Sequence, residues 1–132
     1  MFSIDKMSRK PIYEQLIESI EKSILAGTLP EDGQLPSVRS LSQELGINPN
    51  TLQKAYAEIE RRGLCYTVPG SGRFIARDAV DRLLAAGGAK LSELEELLVM
   101  LRDAGVGRSS VEETVARVFE ATNINDSEVD KK

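Results

Sequence analysis

Residues 48–61 combine hydrogen-bonding side chains at a spacing that gathers them on one side of a predicted helix. At about 100° per residue, with Leu52 and Ile59 facing inward, the opposite side carries amides and cations. In the major groove of DNA, amides pair with adenine edges, and cations pair with guanine edges or phosphates. The outward-facing residues are Asn50, Gln53, Lys54, Ala57 and Arg61. This face predicts readout of nucleic-acid bases, and the alternative is an ordinary solvated helix face.

Two short helices joined by a tight turn are expected to hold that face in place. Ser37 is a favourable N-cap for the first helix, and Gly46 ends it. Asn48 is the predicted N-cap of the second helix, with Pro49 at the first helical position and Gly63 just past its end. This arrangement is a helix-turn-helix pattern.

The segments on either side complete a larger motif. An earlier helix of about four turns is bracketed by Pro11 and Gly27. After the helix-turn-helix, the hydrophobic period changes from 3.6 to 2, which predicts short strands at 64–68 and 73–76 around a turn. The sequence therefore predicts a mainly α fold with a small β-hairpin, a winged helix-turn-helix, over residues 1–77.

Two further places could contact a nucleic-acid backbone. Ser37 and Arg39 open a helix whose free amides can bind a phosphate, although Arg39 could equally pair with a carboxylate of the first helix. Glycines at the hairpin tip let the backbone approach a phosphate or the minor groove, and Arg73 follows directly. An ordinary turn is the alternative. The tip residues are Gly70, Ser71 and Gly72.

Residues 78–121 return to a helical pattern, in which the Gly87–Gly88 pair would end or kink a helix. Their apolar stripe is wider than so short a segment can cover, so we expect a helical dimerisation segment that forms a homodimer. The stripe consists of Leu91, Leu94, Leu97, Leu98 and Leu101, and the last helix can cover only part of it. The predicted dimerisation residues are these five together with Val115, Val118 and Phe119. Residues 122–132 are polar and are expected to form a disordered tail.

Composition excludes several kinds of site. The 132 residues contain no His and a single Cys, Cys65, which removes Ser-His and Cys-His catalytic pairs, Cys/His zinc sites and disulfides. Carboxylate catalysis and a metal site with only oxygen ligands remain open as alternatives. Because no residues supply a nucleophile–base pair, we expect no enzymatic activity, no metal and no cofactor. The chain shows no signal peptide and no apolar run of membrane-spanning length, so we expect a cytoplasmic protein without a membrane partner. The net charge is −4, but residues 34–77 hold six basic and three acidic residues.

Several separate motifs, in the same order, resemble the DNA-binding domain of GntR-type transcriptional regulators. They lie at residues 11–16, 35–41, 48–56, 64 and 70–72. The C-terminal part is similar to the YtrA subfamily, in which two helices serve dimerisation and no ligand-binding domain is present. The resemblance implies a homodimeric bacterial regulator, often a repressor, of operons that include transporters.

The resemblance also implies which residues contact DNA. The family's contacts fall on positions that are occupied here by Arg39, Asn48, Asn50, Thr51, Gln53 and Gly70. Members often carry a basic residue near the start of the recognition helix, where this chain has Asn48, Pro49 and Asn50. This departure concerns the operator sequence rather than the mode of binding.

Two interpretations follow. The first is a regulator that binds double-stranded DNA as a homodimer on an inverted-repeat operator. The alternative is a winged-helix protein-interaction module without specific DNA binding, which the acidic net charge would suit. The sequence assigns no small-molecule effector to either.

Overall fold

The computed structural model describes residues 2–130, with side chains described over residues 2–121. Within this part the chain forms five helices and two strands, so the predicted mainly α fold with a β-hairpin is confirmed. The elements are α1 (Ile12–Ala26), α2 (Val38–Leu45), α3 (Pro49–Arg61), β1 (Cys65–Val68), β2 (Gly72–Ile75), α4 (Ala79–Asp103) and α5 (Arg108–Asp130). The chain divides into two compact units, Met1–Gly88 and Ala89–Lys132, and the boundary between them falls within α4.

The caps predicted for the helix-turn-helix are present. The Ser37 hydroxyl accepts a hydrogen bond from the Ser40 amide at 3.1 Å, and Gly46 ends α2 in the left-handed conformation. The Asn48 side chain accepts from the Asn50 amide at 2.8 Å, with Pro49 at the first position of α3. Because each cap satisfies one of the free amides at the start of its helix, the two caps fix where α2 and α3 begin.

The core of the first unit lies between α1, α3 and the base of the hairpin. It is almost entirely aliphatic, and Tyr56 is the one aromatic side chain among its fully buried described residues. The aliphatic members that are buried to the same degree are Leu16, Ile20, Ile24, Leu52, Ile59, Leu64 and Ile75. Cys65 is also buried, and this burial raises the pKa of its thiol to about 11. The thiol is therefore neutral near pH 7, as expected of a core residue.

β1 and β2 form the predicted antiparallel hairpin, but β2 has a second neighbour. The connection between α1 and α2 runs along its other edge. The Ile75 amide donates to the Gly33 carbonyl at 2.8 Å, and the Leu35 amide donates to the Arg73 carbonyl at 2.9 Å. Backbone hydrogen bonds therefore hold β2 on both edges.

In the second unit, α4 and α5 form a helical hairpin that encloses an apolar groove. Both helices line this groove. The α4 residues run from Leu94 to Leu101, and the α5 residues run from Val111 to Val115, away from the turn that connects the helices. The turn closes with the Val106 amide donating to the Leu101 carbonyl at 3.0 Å.

Two expectations for the C-terminal half have different outcomes. At Gly87 and Gly88, where an end or a kink was expected, α4 continues as one helix. A disordered tail was predicted at 122–132. The side chains of these residues lie outside the described part of the structure, and residues 131 and 132 lie outside it completely. The disordered tail therefore stays a prediction. Among the described residues no helix has both the length and the apolarity to cross a membrane.

Candidate nucleic-acid interface

The N-terminal half of the outward face of α3 is exposed, and its polar side chains have no partner among the described residues. Leu52 and Ile59 are completely buried on the inner side, whereas Asn50, Gln53 and Lys54 lie exposed on the outer side. Within the described residues, the side chains of these three make no hydrogen bond or ion pair. Two amides and a cation are therefore available to a partner on the same helix face.

The C-terminal end of α3 is occupied differently. Arg61, which the helical angle places on the outward face, instead donates to the Glu58 carboxylate, with Arg61 Nη2 at 2.6 Å. Arg62 donates to the same carboxylate and also reaches Glu21 on α1 at 3.3 Å. The hydrogen bonds from Arg61 and then Arg62 lower the pKa of Glu58 to about 2. Both guanidinium groups are thereby engaged within the protein.

The first turn of α3 is partly committed to its own cap. The Asn48 side-chain oxygen already accepts a hydrogen bond from the Asn50 backbone amide. The side-chain NH2 group of Asn48 therefore remains available as a donor to a ligand. Thr51 is half-buried. The polar groups best placed for a partner are therefore those one turn later, at Gln53 and Lys54.

The start of α2 presents Arg39 to solvent. Its side chain is exposed and forms no ion pair with any described residue, so the alternative pairing with an α1 carboxylate is not seen. The carbonyl just before the Ser37 cap is that of Pro36, and it accepts from the Tyr56 hydroxyl at 2.7 Å. This bond holds the beginning of α2 against α3.

Two glycines at the tip of the hairpin have positive φ angles, +80° at Gly70 and +126° at Gly72, which residues with a Cβ rarely adopt. A Cβ at Gly72 would also lie 2.7 Å from the Gln34 side-chain nitrogen. That nitrogen donates to the Ser71 carbonyl at 2.8 Å. At Gly70 the space around a Cβ is open, so close approach to a ligand is not limited by the protein there.

The position of Arg73 in the sequence, directly after the hairpin tip, predicts an exposed cation, and the structure places its side chain differently. It is half-buried, and its guanidinium carbon is 5.5 Å from the centre of the Tyr56 ring. Such a cation–π contact holds the side chain over the aromatic face. Arg73 Nε is buried and has no hydrogen-bond partner among the described residues.

One cleft of about 340 Å³ brings several predicted residues together. It is lined by Ser37 at the start of α2, by Gly70–Gly72 at the hairpin tip and by Arg73. Gln34 and Tyr56 line it too, and sequence reasoning missed them as site residues. Tyr56 carried one detectable signal, since a buried phenol at an inward helix position needs a hydrogen-bond partner.

Metal chemistry finds no support in the described residues. No group of three or more Asp, Glu, Cys or His side chains there is placed to hold a metal ion. The site instead offers amides, a lysine, arginines and free backbone at glycines, which are groups that bind bases and phosphates.

Comparisons with known proteins agree on one family. Residues 12–75 match the family described as bacterial regulatory proteins, gntR family. The chain is similar to the transcriptional repressor YtrA of Bacillus subtilis (strain 168), with 35% identity over 119 residues, covering 89% of this chain and 92% of YtrA.

Two solved structures extend the comparison. A GntR family transcriptional regulator from Listeria monocytogenes superposes with a TM-score of 0.68 at 31% identity, covering 86% of this chain and 98% of that one. The DNA-binding domain of AraR in complex with operator ORX1 superposes with a TM-score of 0.51 at 31% identity, covering 57% of this chain and 93% of that one.

Proposed function

The chain belongs to the GntR family of bacterial regulatory proteins, and from this premise we propose that it represses transcription as a homodimer bound to an inverted-repeat operator. As a member it is a transcriptional regulator with a DNA-binding domain. The repressor role is supported by its similarity to a protein named as a repressor over nearly the whole length of both chains.

The observation that carries base readout is the contrast between the two ends of α3. At its C-terminal end, Glu58 forms ion pairs with both Arg61 and Arg62, as is typical of a solvated helix surface. At its N-terminal half, Gln53 and Lys54 are exposed with no such partner among the described residues. Unpartnered amide and cation groups on one face match the hydrogen-bonding pattern of base edges in the major groove.

Arg39 and the hairpin tip are suited to the phosphate backbone. Arg39 is exposed at the start of α2, where the helix dipole also favours an anion. The tip glycines Gly70 and Gly72 line a cleft together with Ser37, the N-cap of α2. Such contacts position a protein on DNA without selecting sequence, so they would fix the approach of α3 to the groove.

The apolar surface of the C-terminal unit supports self-association. Leu91 is 65% exposed, Leu97 50% and Phe119 64%. Several large exposed apolar residues within one short segment are typical of an interface, and matching surfaces on two identical chains close with two-fold symmetry. Because one winged helix reads only a few base pairs, two copies would supply the specificity of an operator.

Selection of bound sequences from random double-stranded DNA by the full chain tests this proposal. We expect an enriched inverted repeat, with half-sites about 10 base pairs apart or a multiple of that spacing. Enrichment of no sequence, together with binding that only follows charge, would favour the protein-interaction module instead.

The base-reading role has a matched test on the selected operator. Gln53→Ala and Asn50→Ala should each lower the free energy of specific binding by roughly 1–3 kcal/mol and leave binding to scrambled DNA nearly unchanged. Lys22→Ala, an exposed change on α1, serves as the control and should affect neither. Equal losses on operator and scrambled DNA would contradict base readout by α3.

A further inference from the structure

A second groove of the C-terminal unit carries opposite charges on a mostly apolar lining. It has a volume of about 320 Å³. Its α4 residues are Glu95, Leu98, Val99 and Arg102. Val99 is 41% exposed, so apolar surface in this groove remains open to solvent. Glu95 makes no ion pair within the described residues, and Arg102 contacts only its neighbour Asp103, at 3.1 Å.

The residues of this face have a symmetric spacing. Glu95 and Arg102 are seven residues apart, which places them on the same side of α4 about 10 Å apart along its axis. Leu98 and Val99 lie at the midpoint between them.

This order is self-complementary when read in opposite directions. In two antiparallel copies centred between Leu98 and Val99, each residue faces the one at the same distance on the other side of the midpoint. Leu98 then faces Val99, and Glu95 faces Arg102. These two apolar residues of α4 meet each other, and these two charges meet their opposites.

We infer that this face pairs with the same face of a second copy, antiparallel and centred between Leu98 and Val99, so that Glu95 of each copy binds Arg102 of the other. The inference rests on the proposed homodimer and defines its register. Two-fold symmetry forms the ion pair twice, and a parallel arrangement would place like charges together. The charges therefore select the register, while the apolar residues supply the burial.

Forming these pairs requires little rearrangement within each copy. The Arg102–Asp103 contact joins adjacent residues whose side chains are 73% and 64% exposed. Contacts of this kind contribute little to stability, so Arg102 can exchange Asp103 for Glu95 of the other copy at small cost.

Charge exchange tests the register. The dimer dissociation constant of the full chain would be measured by sedimentation equilibrium for the wild type, Glu95→Arg, Arg102→Glu and the double variant. Each single variant should weaken the dimer about tenfold, because each places like charges opposite one another at two symmetric positions. The double variant should return to within about threefold of the wild type, since it restores both pairs with exchanged signs.

Glu96→Arg is the matched control, because it makes the same change one residue away and about 100° around the helix. It should leave the dimer unchanged, and circular dichroism should show that all variants are folded. Single variants that dimerise like the wild type, or a double variant without recovery, would overturn the register and leave this groove to another partner. In both cases a dimeric wild type that binds its operator leaves the proposed function intact. A monomeric wild type would instead contradict the proposed homodimer itself.

Discussion

Replacing Tyr56 with Phe removes a single oxygen atom from the point where α2, α3 and the hairpin meet. Tyr56 is 1% exposed, and its hydroxyl donates to the Pro36 carbonyl at 2.7 Å. Burial raises the pKa of this phenol above its ordinary value, so it remains a donor at any pH at which the protein is handled. The Phe ring keeps the shape of the core and its contact with Arg73, so the change isolates the hydrogen bond.

The expected loss follows from the surroundings of the acceptor. A neutral hydrogen bond contributes about 0.5–1.5 kcal/mol net, and an acceptor left fully buried and unpaired costs about 1–3 kcal/mol. Pro36 is only half-buried, so water can satisfy part of the carbonyl. We therefore expect Tyr56→Phe to lower the free energy of unfolding by about 1 kcal/mol, well below the 3–5 kcal/mol typical of deleting a whole buried aromatic ring.

Urea denaturation of the full chain at one fixed protein concentration measures this loss, because dimerisation makes stability depend on concentration. At a slope of about 1–2 kcal/mol per molar urea, the midpoint should fall by about 0.5–1 M. Tyr66→Phe is the matched control. Its hydroxyl donates to Asp32 at 2.7 Å, but the side chain is 38% exposed. Water can replace that bond, so the loss should stay below about 0.5 kcal/mol.

Two outcomes would refute the reasoning about Tyr56. One is a Tyr56→Phe variant as stable as the wild type, which would mean that the Pro36 carbonyl finds an equivalent partner. The other is a larger loss for Tyr66→Phe, which would mean that burial does not set the size of these contributions.

Arg39→Ala should weaken binding to all DNA sequences and reduce the slope of log affinity against log salt concentration by about one, which fluorescence anisotropy can measure. An unchanged slope would mean that Arg39 does not contact phosphate. The hydrogen bonds from Arg61 and Arg62 lower the pKa of Glu58 from 4.5 to about 2, so this carboxylate stabilises the fold above pH 4.5, and its contribution disappears as the pH falls towards 2. Glu58→Gln should therefore reduce stability at pH 7 and flatten acid unfolding over that window, and an unchanged acid transition followed by circular dichroism would contradict this.

The parts of the fold that depend on neighbouring residues could be predicted from the sequence. The ends of α2 and the start of α3 follow from Ser37, Gly46 and Asn48, because capping is decided within three or four residues. The inward positions of Leu52 and Ile59 follow from helical periodicity alone. The exposed face of α3 was predictable for the same reason.

Contacts between residues distant in sequence could not be predicted in this way. The link from Gln34 to Ser71 joins residues 37 positions apart, and nothing near Gln34 in the sequence signals an extended segment. Helical periodicity places Arg61 on the outward face, but it does not predict that Arg61 donates hydrogen bonds to Glu58. The sequence predicts a cation beside the hairpin tip at Arg73. The position of its guanidinium group depends on the Tyr56 ring, which is distant in sequence.

The hydrogen bonds on both edges of β2 bear on the entropy of association. A two-stranded hairpin alone is marginally stable in water, and immobilising its backbone on a ligand would cost about 1–2 kcal/mol per residue. Here the connection between α1 and α2 has already fixed Arg73 and Ile75 in the free protein. The Ser71 carbonyl is held as well, by Gln34. Little ordering entropy is thus left to lose when the hairpin meets a surface, so contacts made by its tip contribute almost their full strength to affinity.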